Sequence, residues 1–225
     1  MAFTHDTDDA LQSAAALVNT AARPGEPDGL ADAADLRAFE QEWQWTGRFD
    51  GTPEELADVH ALRERLRIFW SATPDEAAVL VNDLLREHRA LPQLVRHDDY
   101  GWHIHATGAD APFAQRMQVE AAMALVDVIR AGELSRLRVC AADDCDDVLV
   151  DLSRNRSKRF CDAANCANRT HVRSYRARQA EADEETAADV VADVMAAGDG
   201  LSAHPALAAE VTRWEAEHLT AADYL

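Results

Sequence analysis

The sequence predicts a mainly α fold with a small β-hairpin, an α+β arrangement in which a helical N-terminal domain precedes a compact cysteine-rich segment and a helical acidic tail. Three observations support this fold class. Apolar residues recur at helical spacing through most of the first 135 residues, all four cysteines lie between residues 140 and 166, and residues 181–225 are strongly acidic. With 225 residues, 48% of them hydrophobic, the chain is long enough to bury a substantial core.

Helix signals are clearest in the N-terminal domain. Thr52-Pro53-Glu54-Glu55 and Thr73-Pro74-Asp75-Glu76 each have the pattern of a capping box with Pro at the first helical position. Apolar periodicity predicts two more helices, from Leu11 to Ala22 and from about Pro112 to Arg130. Gly132 ends the second of these and marks a domain boundary. The predicted domains are 1–135, 136–180 and 181–225.

One strand is expected in the same domain. Tyr100 to Thr107 alternates apolar and polar residues, and we expect it to pair with Leu94-Val95-Arg96 across a turn at 97–99. His103 and His105 share one face of this strand, which we interpret as the solvent face because no third metal ligand is evident. A candidate ligand pocket combines these histidines with three tryptophans and two polar anchors, namely Trp43, Trp45, Trp102, Asn19 and Thr20. Core packing is the commoner role of tryptophans with such spacing.

The net charge of −19 excludes a uniformly basic nucleic-acid coat and disfavours binding to an anionic membrane. No apolar run is long enough to span a bilayer, and the first residues lack the basic and apolar regions of a signal peptide. A cytoplasmic protein is therefore expected. In that compartment cysteines are not expected to form disulfides.

The charge is unevenly distributed along the chain. Residues 136–178 contain ten Lys or Arg against six Asp, whereas residues 181–225 contain eleven acidic residues and one Arg. All four cysteines fall within the basic segment. This pattern predicts a local basic surface on an otherwise acidic protein.

The four cysteines form two pairs, Cys140-x4-Cys145 and Cys161-x4-Cys166, with fifteen residues between them. This spacing allows four thiolates to surround one Zn²⁺ tetrahedrally at about 2.3 Å. Two disulfides would need an oxidising compartment, and an iron–sulfur cluster usually has closer cysteine spacing. A catalytic zinc keeps one position open, whereas four cysteines fill all four, so the sequence predicts one structural Zn²⁺.

The residues around the cysteines predict a treble-clef-like finger. Val148-Leu149-Val150 is expected to pair with Lys158-Arg159-Phe160, and a helix is expected from about Ala167 to Gln179. The turn between the strands and one face of the helix carry the residues that we expect to contact DNA. They are Arg154, Arg156, Lys158, Asn168, Arg169, Arg173 and Arg176. The alternative is that these basic residues only offset the charge of the zinc–cysteine centre and of nearby Asp residues.

Residues 139–179 resemble the CGNR-type zinc finger. The motif of that name corresponds to Cys166-Ala167-Asn168-Arg169, preceded by Arg159-Phe160-Cys161 and followed by the segment from Arg173 to Arg178. The region before it, with Leu17-Val18-Asn19-Thr20 and its helical layout, resembles the domain that accompanies this finger in the ABATE family of stress-induced transcription regulators. The resemblance implies a bacterial DNA-binding regulator with a ligand-sensing N-terminal domain. Ala167 replaces the Gly of the family motif, and a positive φ there would strain the alanine.

The predicted function is a cytoplasmic transcription regulator that binds double-stranded DNA through the finger and a small-molecule effector through the N-terminal domain. The main alternative is a protein-interaction module in which zinc only stabilises a small fold. An enzyme is the least supported class, because the sequence has no Gly-rich phosphate loop, nucleophile elbow or His-Glu-x-x-His motif. The acidic tail is expected to cover the protein or, as a sharper hypothesis, to occupy the arginine face of the finger helix and compete with DNA.

Overall fold

The structure, a computed structural model, describes residues 3–23, 25–96, 101–163 and 165–196, together with 205–206, 208–209 and 212–213. The helices that carry the fold are α1 His5–Asn19, α2 Ala33–Glu42, α3 Pro53–Arg67, α4 Pro74–Glu87, α5 Phe113–Arg130 and α6 Cys166–Ala196. Single turns of 3₁₀-helix lie at Ile68–Trp70 and Leu134–Arg136. Two antiparallel hairpins pair β1 Gln93–Arg96 with β2 Trp102–His105 and β3 Leu137–Val139 with β4 Val148–Val150. The predicted mainly α fold with a small β component is confirmed.

The N-terminal helices pack around α5, which contacts α1, α3 and α4. The side chains at the centre of this core are almost fully buried. They include Leu11, Leu17, Leu36, Leu66, Phe69 and Phe113. Burying each such side chain contributes about 1.5–3 kcal/mol, so this core is the main source of stability for the domain.

The starts of α3 and α4 follow the sequence signals, whereas the helix expected from Leu11 to Ala22 begins at His5 and ends at Asn19. Thr73 and Glu76 form the predicted capping box, in which each side chain accepts a hydrogen bond from the other's backbone N–H. Thr52 also accepts from the N–H of Glu55, but the Glu55 carboxylate instead accepts from the N–H groups of Asp50 and Gly51. The first capping box is therefore only half formed, because Glu55 stabilises the preceding loop.

The β1–β2 hairpin confirms the predicted pairing, with Leu94 opposite Ile104 and Val95 opposite His103. Its two faces are reversed relative to the expectation. His103 is 9% exposed whereas Trp102 is 69% exposed, so the interpretation of the histidines as solvent-facing was wrong. The expected turn at 97–99 and most of the tail beyond residue 196 lie outside the described residues.

The β3–β4 hairpin differs from the predicted one. Val148–Val150 pairs with Leu137–Val139, and Lys158-Arg159-Phe160 is not a strand. The reason is burial, because Leu137, Val148 and Val150 join the main core while Leu149 points to the cysteines. Lys158 to Phe160 instead passes beside this hairpin, where the Arg159 carbonyl accepts a hydrogen bond from the N–H of Ala141.

The chain divides into two compact units, Met1–Ala167 and Asn168–Leu225. The described part of the second unit is mostly α6, which runs without interruption through the expected boundary at residue 180. The acidic residues from Glu181 to Asp189 therefore lie on the same helix as the basic ones before them. Within this helix they cannot fold back onto the arginine face, so the hypothesis of competition with DNA depends on residues beyond 196.

Candidate metal centre and nucleic-acid interface

The four cysteines are brought together by three different segments. Cys140 and Cys145 lie in the loop that joins β3 to β4, Cys161 lies in the irregular segment before α6, and Cys166 is the first residue of α6. All four Sγ atoms lie within 4.8 Å of one another. Three of the side chains are buried and Cys145 is partly exposed. The four thiols thus form one compact cluster.

The cluster has the dimensions of a zinc site. The Sγ atom of Cys161 lies 3.7 Å from that of Cys145 and 3.5 Å from that of Cys166. A tetrahedron with a metal–sulfur distance of about 2.3 Å has sulfur–sulfur edges of about 3.8 Å. Disulfide sulfurs would be about 2.05 Å apart, and none of the four cysteines forms a disulfide. The four cysteines are positioned to coordinate one zinc ion, as predicted.

The thiols differ in acidity before a metal binds. Burial raises the pKa of Cys145 to about 12. Burial also acts to raise the pKa of Cys140, but hydrogen bonds from the backbone N–H groups of Cys161 and Ala142 outweigh it and lower that pKa. Zinc coordinates thiolates, so binding must displace protons from this cluster, and zinc affinity will fall as the pH is lowered.

Side chains of the N-terminal domain hold the β4 side of the metal centre. The Asn19 amide donates to the Val148 carbonyl and accepts from the Val148 N–H, each at 2.8 Å. The Trp70 indole N–H donates to the Leu149 carbonyl at 2.9 Å. Arg23 forms an ion pair with Asp147, which is 1% exposed. The loop that carries two zinc ligands is therefore fixed by the helical domain.

Asn19→Ala should destabilise the protein by about 2 kcal/mol, because it leaves both backbone groups of Val148 without their side-chain partner. The free energy of unfolding of the zinc-loaded protein, measured with urea, checks this. Gln12→Ala is the matched control, since Gln12 is an exposed amide on the same helix that makes one hydrogen bond to the Asp8 carbonyl. Equal stability of the two variants would contradict the assigned role of Asn19.

Asp151 organises the segment between β4 and Cys161. Its carboxylate accepts hydrogen bonds from the N–H and hydroxyl of Ser153 and from the N–H of Lys158, and it pairs with Arg138 at 3.0 Å. Asp151 is fully buried. We call residues 152–158 the basic link, because three of the predicted DNA-contacting residues project from it.

Two of those three residues already have acidic partners. Arg156 pairs with Glu133, and the Nζ atom of Lys158 lies 2.6 Å from a carboxylate oxygen of Asp162. Arg154 is exposed. Exposed ion pairs of this kind contribute about 0–1 kcal/mol and exchange readily with other anions. Part of the positive charge of the basic link is therefore balanced within the protein.

The first turns of α6 present the remaining predicted residues. Asn168, Arg169, Arg173 and Arg176 are all exposed, and the spacing of the arginines places them on one face of the helix. We call these four residues the arginine face. No acidic residue occurs between Asp162 and Glu181. Ala167 has helical backbone geometry and no positive φ, so the replacement of the family's Gly causes no strain.

A cleft of about 620 Å³ lies in the N-terminal domain between α1, the end of α2, β2 and α5. Trp43, Trp45, His103 and His105 line it, as the candidate pocket required, but Trp102 does not. The Nε2 atoms of His103 and His105 are 3.0 Å apart. The Glu120 carboxylate, 3.4 Å from Nδ1 of His105, raises the pKa of His105.

The predicted polar anchors of this pocket lie elsewhere. Asn19 binds Val148, as described above. The Thr20 hydroxyl donates to the Leu17 carbonyl and accepts from Arg63. Neither residue lines the cleft, so their assignment as ligand-binding residues stays a prediction for which the contacts offer no support.

Some residues important to the site carried little or no sequence signal. Asp151 carried a weak sequence signal. An Asp followed two residues later by Ser is typical of a turn in which the carboxylate accepts a hydrogen bond from the backbone N–H. The roles of Trp70 and Asp147 depend on contacts about 80 and 120 residues away along the chain. Such contacts follow from the packing of the β3–β4 hairpin on the helical domain and cannot be read from the local sequence pattern.

A helical domain joined to a four-cysteine zinc centre defines the class of the protein as a zinc-finger protein. Residues 136–179 match the CGNR zinc finger. Residues 11–132 match the ABATE family, described as "Putative stress-induced transcription regulator". The second match spans more than half of the chain, and the chain belongs to the ABATE family, as the resemblance implied.

No curated protein matches the chain. The two matched families are a regulator family and a zinc finger, and neither is an enzyme family. Within the described residues, no helix is both long enough and apolar enough to cross a bilayer.

Proposed function

We propose that this protein is a cytoplasmic transcription regulator that binds double-stranded DNA through the arginine face of α6 and through the basic link. The observation that carries the proposal is the arginine face itself, which begins two residues after the last zinc ligand and is exposed. A protein with a net charge of −19 is repelled by DNA overall, so binding requires a locally basic element of this kind.

The chemistry of the two surfaces suits nucleic acid. Arginine donates hydrogen bonds to phosphate in a planar, bidentate geometry, and an Arg fork also matches the major-groove edge of guanine. Asn168 has the side-chain amide that pairs with adenine. These features support direct contact with both phosphates and bases.

DNA binding is tested on the full-length, zinc-loaded protein with a duplex recovered by selection from randomised DNA. Affinity should fall with a slope of about −0.9 per phosphate contacted when the logarithm of the binding constant is plotted against that of the salt concentration. Arg173→Glu should weaken binding at least about tenfold and make this slope shallower by about one. Fluorescence anisotropy over a salt series measures both quantities.

Arg86→Glu is the matched control for this charge reversal. Arg86 lies on α4, its side chain is 71% exposed, and it pairs with an acidic neighbour three residues away. The reversal should leave DNA affinity nearly unchanged. Equal losses in both variants would show that only net charge matters and would contradict a specific role for the arginine face.

A protein-interaction module is the second candidate function. The pairing of Arg156 with Glu133 and of Lys158 with Asp162 favours it, because these contacts are those expected of residues that only balance nearby charge. Under this function zinc holds the fold together and the zinc-loaded protein shows no salt-dependent affinity for DNA. The salt series therefore separates the two candidates.

We further propose that the cleft in the N-terminal domain is the binding site of a small-molecule effector. Its volume of about 620 Å³ lies within the range of sites that bind small molecules, about 300–1,000 Å³. The cleft is formed by α1 and α5, and α1 carries Asn19, which binds the zinc-bearing hairpin. Effector binding at this cleft is thus connected to the metal centre through a single helix.

A further inference from the structure

We propose that the ligand of this cleft is an organic cation, a protonated amine or quaternary ammonium compound with an apolar body. The inference rests on the proposed effector function and specifies its chemistry. It follows from the charge of the cleft, from its aromatic walls and from the residues that are missing from its lining.

The described lining of the cleft is strongly acidic. Five carboxylates line it and no Lys or Arg does. The carboxylates are Asp6, Asp9, Glu42, Glu120 and Asp127. Glu120 lies 3.4 Å from Nδ1 of His105, and Asp9 lies 2.8 Å from Nδ1 of His5, which is outside the lining. The five carboxylates outnumber these two histidines and His103, so the cleft is acidic whatever the charge of the imidazoles. An anionic ligand would be repelled here, whereas a cation would reduce the repulsion among the carboxylates.

The apolar walls of the cleft are aromatic. Trp43 and Trp45 line it, and both are held by aromatic packing behind them. The Trp43 ring lies 6.2 Å from that of Phe39, and the Trp45 ring packs edge-on against Phe113 at 5.7 Å. Tryptophan is the side chain with the strongest cation–π attraction, and ammonium groups that retain little hydration bind best to such rings.

A metal cation fits the lining less well than an organic one. Among the described residues, the four cysteines of the zinc centre are the one group of three or more metal-ligating side chains whose ligand atoms converge. The carboxylates of the cleft are spread over α1, α2 and α5. Carboxylates dispersed around a large cleft with two indole rings suit a charge carried on a bulky, partly apolar molecule.

The test is calorimetric titration of the full-length, zinc-loaded protein with four probes of similar size. Benzyltrimethylammonium and benzylammonium carry a positive charge, benzyl alcohol is neutral and benzoate is negative. We expect the two cations to bind at least tenfold more tightly than benzyl alcohol, and benzoate not to bind. Equal affinity for benzyl alcohol, preference for benzoate, or no binding of either cation at millimolar concentration would overturn the inference.

Two variants place the binding in the cleft. Glu42→Gln removes one carboxylate from an exposed position, and Trp43→Ala removes one wall; each should weaken the binding of benzyltrimethylammonium at least fivefold. Trp102→Ala and Glu54→Gln are the matched controls, since both residues are exposed in the same domain and lie outside the lining. Their affinities should equal that of the wild type. Equal weakening in the controls would show that the cation binds elsewhere.

DNA affinity measured on the same samples keeps this inference separate from the proposed function. If the protein selects cations but shows no salt-dependent DNA binding, the inference about the cleft ligand stands and the proposed regulator function is contradicted. If the protein binds DNA but does not select cations, the proposed regulator function stands and the inference about the cleft ligand is contradicted.

Discussion

Cys161→Ser should abolish zinc binding and unfold the segment between Cys140 and Cys166, and chelation of zinc from the wild-type protein should do the same. The surroundings of the thiols have few other sources of stability, because the buried cluster around them contains only Ala142, Leu149 and three of the cysteines themselves. In isolated zinc-finger peptides a structural zinc contributes about 10 kcal/mol or more to folding at neutral pH. The loss of one thiolate ligand therefore outweighs any other single change in this region.

The effect should extend into the helical domain in a graded way. Leu137, Val148 and Val150 belong to the main core, so disorder in the hairpin exposes part of that core and lowers the melting temperature of the whole first unit. The helices themselves should remain, since α1, α3, α4 and α5 pack on one another. Metal analysis, circular dichroism and limited proteolysis distinguish local from global unfolding.

Ala163→Ser is the matched control for Cys161→Ser, because it adds a serine hydroxyl at an exposed position two residues away. It should bind one zinc ion per chain and melt like the wild type. A Cys161→Ser protein that still holds one zinc ion with an unchanged melting temperature would show that the four cysteines do not share a metal.

The metal centre was predictable because the requirement for four ligands around one ion can be recognised from the residue types, even though the cysteines are far apart in the sequence. A tetrahedral ion requires four ligands, and the spacing of the two cysteine pairs allows one solution in which Cys140 to Cys166 converge. The prediction needed no knowledge of how the intervening chain folds. The start of α6 at the last cysteine was also predicted, because the helical pattern after Cys166 likewise does not depend on how the intervening chain folds.

The strand partner of Val148–Val150 was not predictable in the same way. Leu137-Arg138-Val139 and Lys158-Arg159-Phe160 each combine basic and apolar residues and lie at similar distances from Val148–Val150 along the chain. The choice depends on which apolar side chain can enter the main core, and Leu137 does so at 6% exposure. A preference of this kind is set by packing against α1 and against the 3₁₀ turn at Ile68–Trp70, which are distant along the chain, and the local sequence does not contain it.

The faces of β2 illustrate the same limit. Alternation of apolar and polar residues predicted a strand with two distinct faces but not which face the domain covers. Polarity suggested that Trp102 would be inside and His103 outside, and the structure has the reverse. The histidines are inside because they find polar partners there, each other and Glu120 on α5. A buried polar side chain is tolerated where such partners exist.

Asp151→Ala should destabilise the zinc-loaded protein by about 3 kcal/mol, because it removes a buried carboxylate and leaves Arg138 and three hydrogen-bond donors without it. Burial acts to raise the pKa of Asp151, but hydrogen bonds from Ser153, the charge of Arg138 and the N–H of Lys158 lower it below its usual value. The ionised carboxylate therefore stabilises the fold fully at pH values above its unfolded pKa, about 3.9. This contribution is lost as the pH falls through the lower pKa of the folded state.

Unfolding in urea at neutral pH and at a series of acidic pH values measures both effects. The difference in stability between wild type and Asp151→Ala should be largest above about pH 4 and should shrink below it. At low pH the wild-type carboxylate is protonated and loses the interactions that the substitution removes from the variant. Asp83→Ala is the matched control, because Asp83 also pairs with an arginine but is 61% exposed; it should cost less than about 1 kcal/mol. A stability difference for Asp151→Ala that is small, or that is unchanged at the lowest pH, would show that the carboxylate does not hold the basic link. In that case the orientation of Arg156 and Lys158 would depend on their own ion pairs and on the zinc centre.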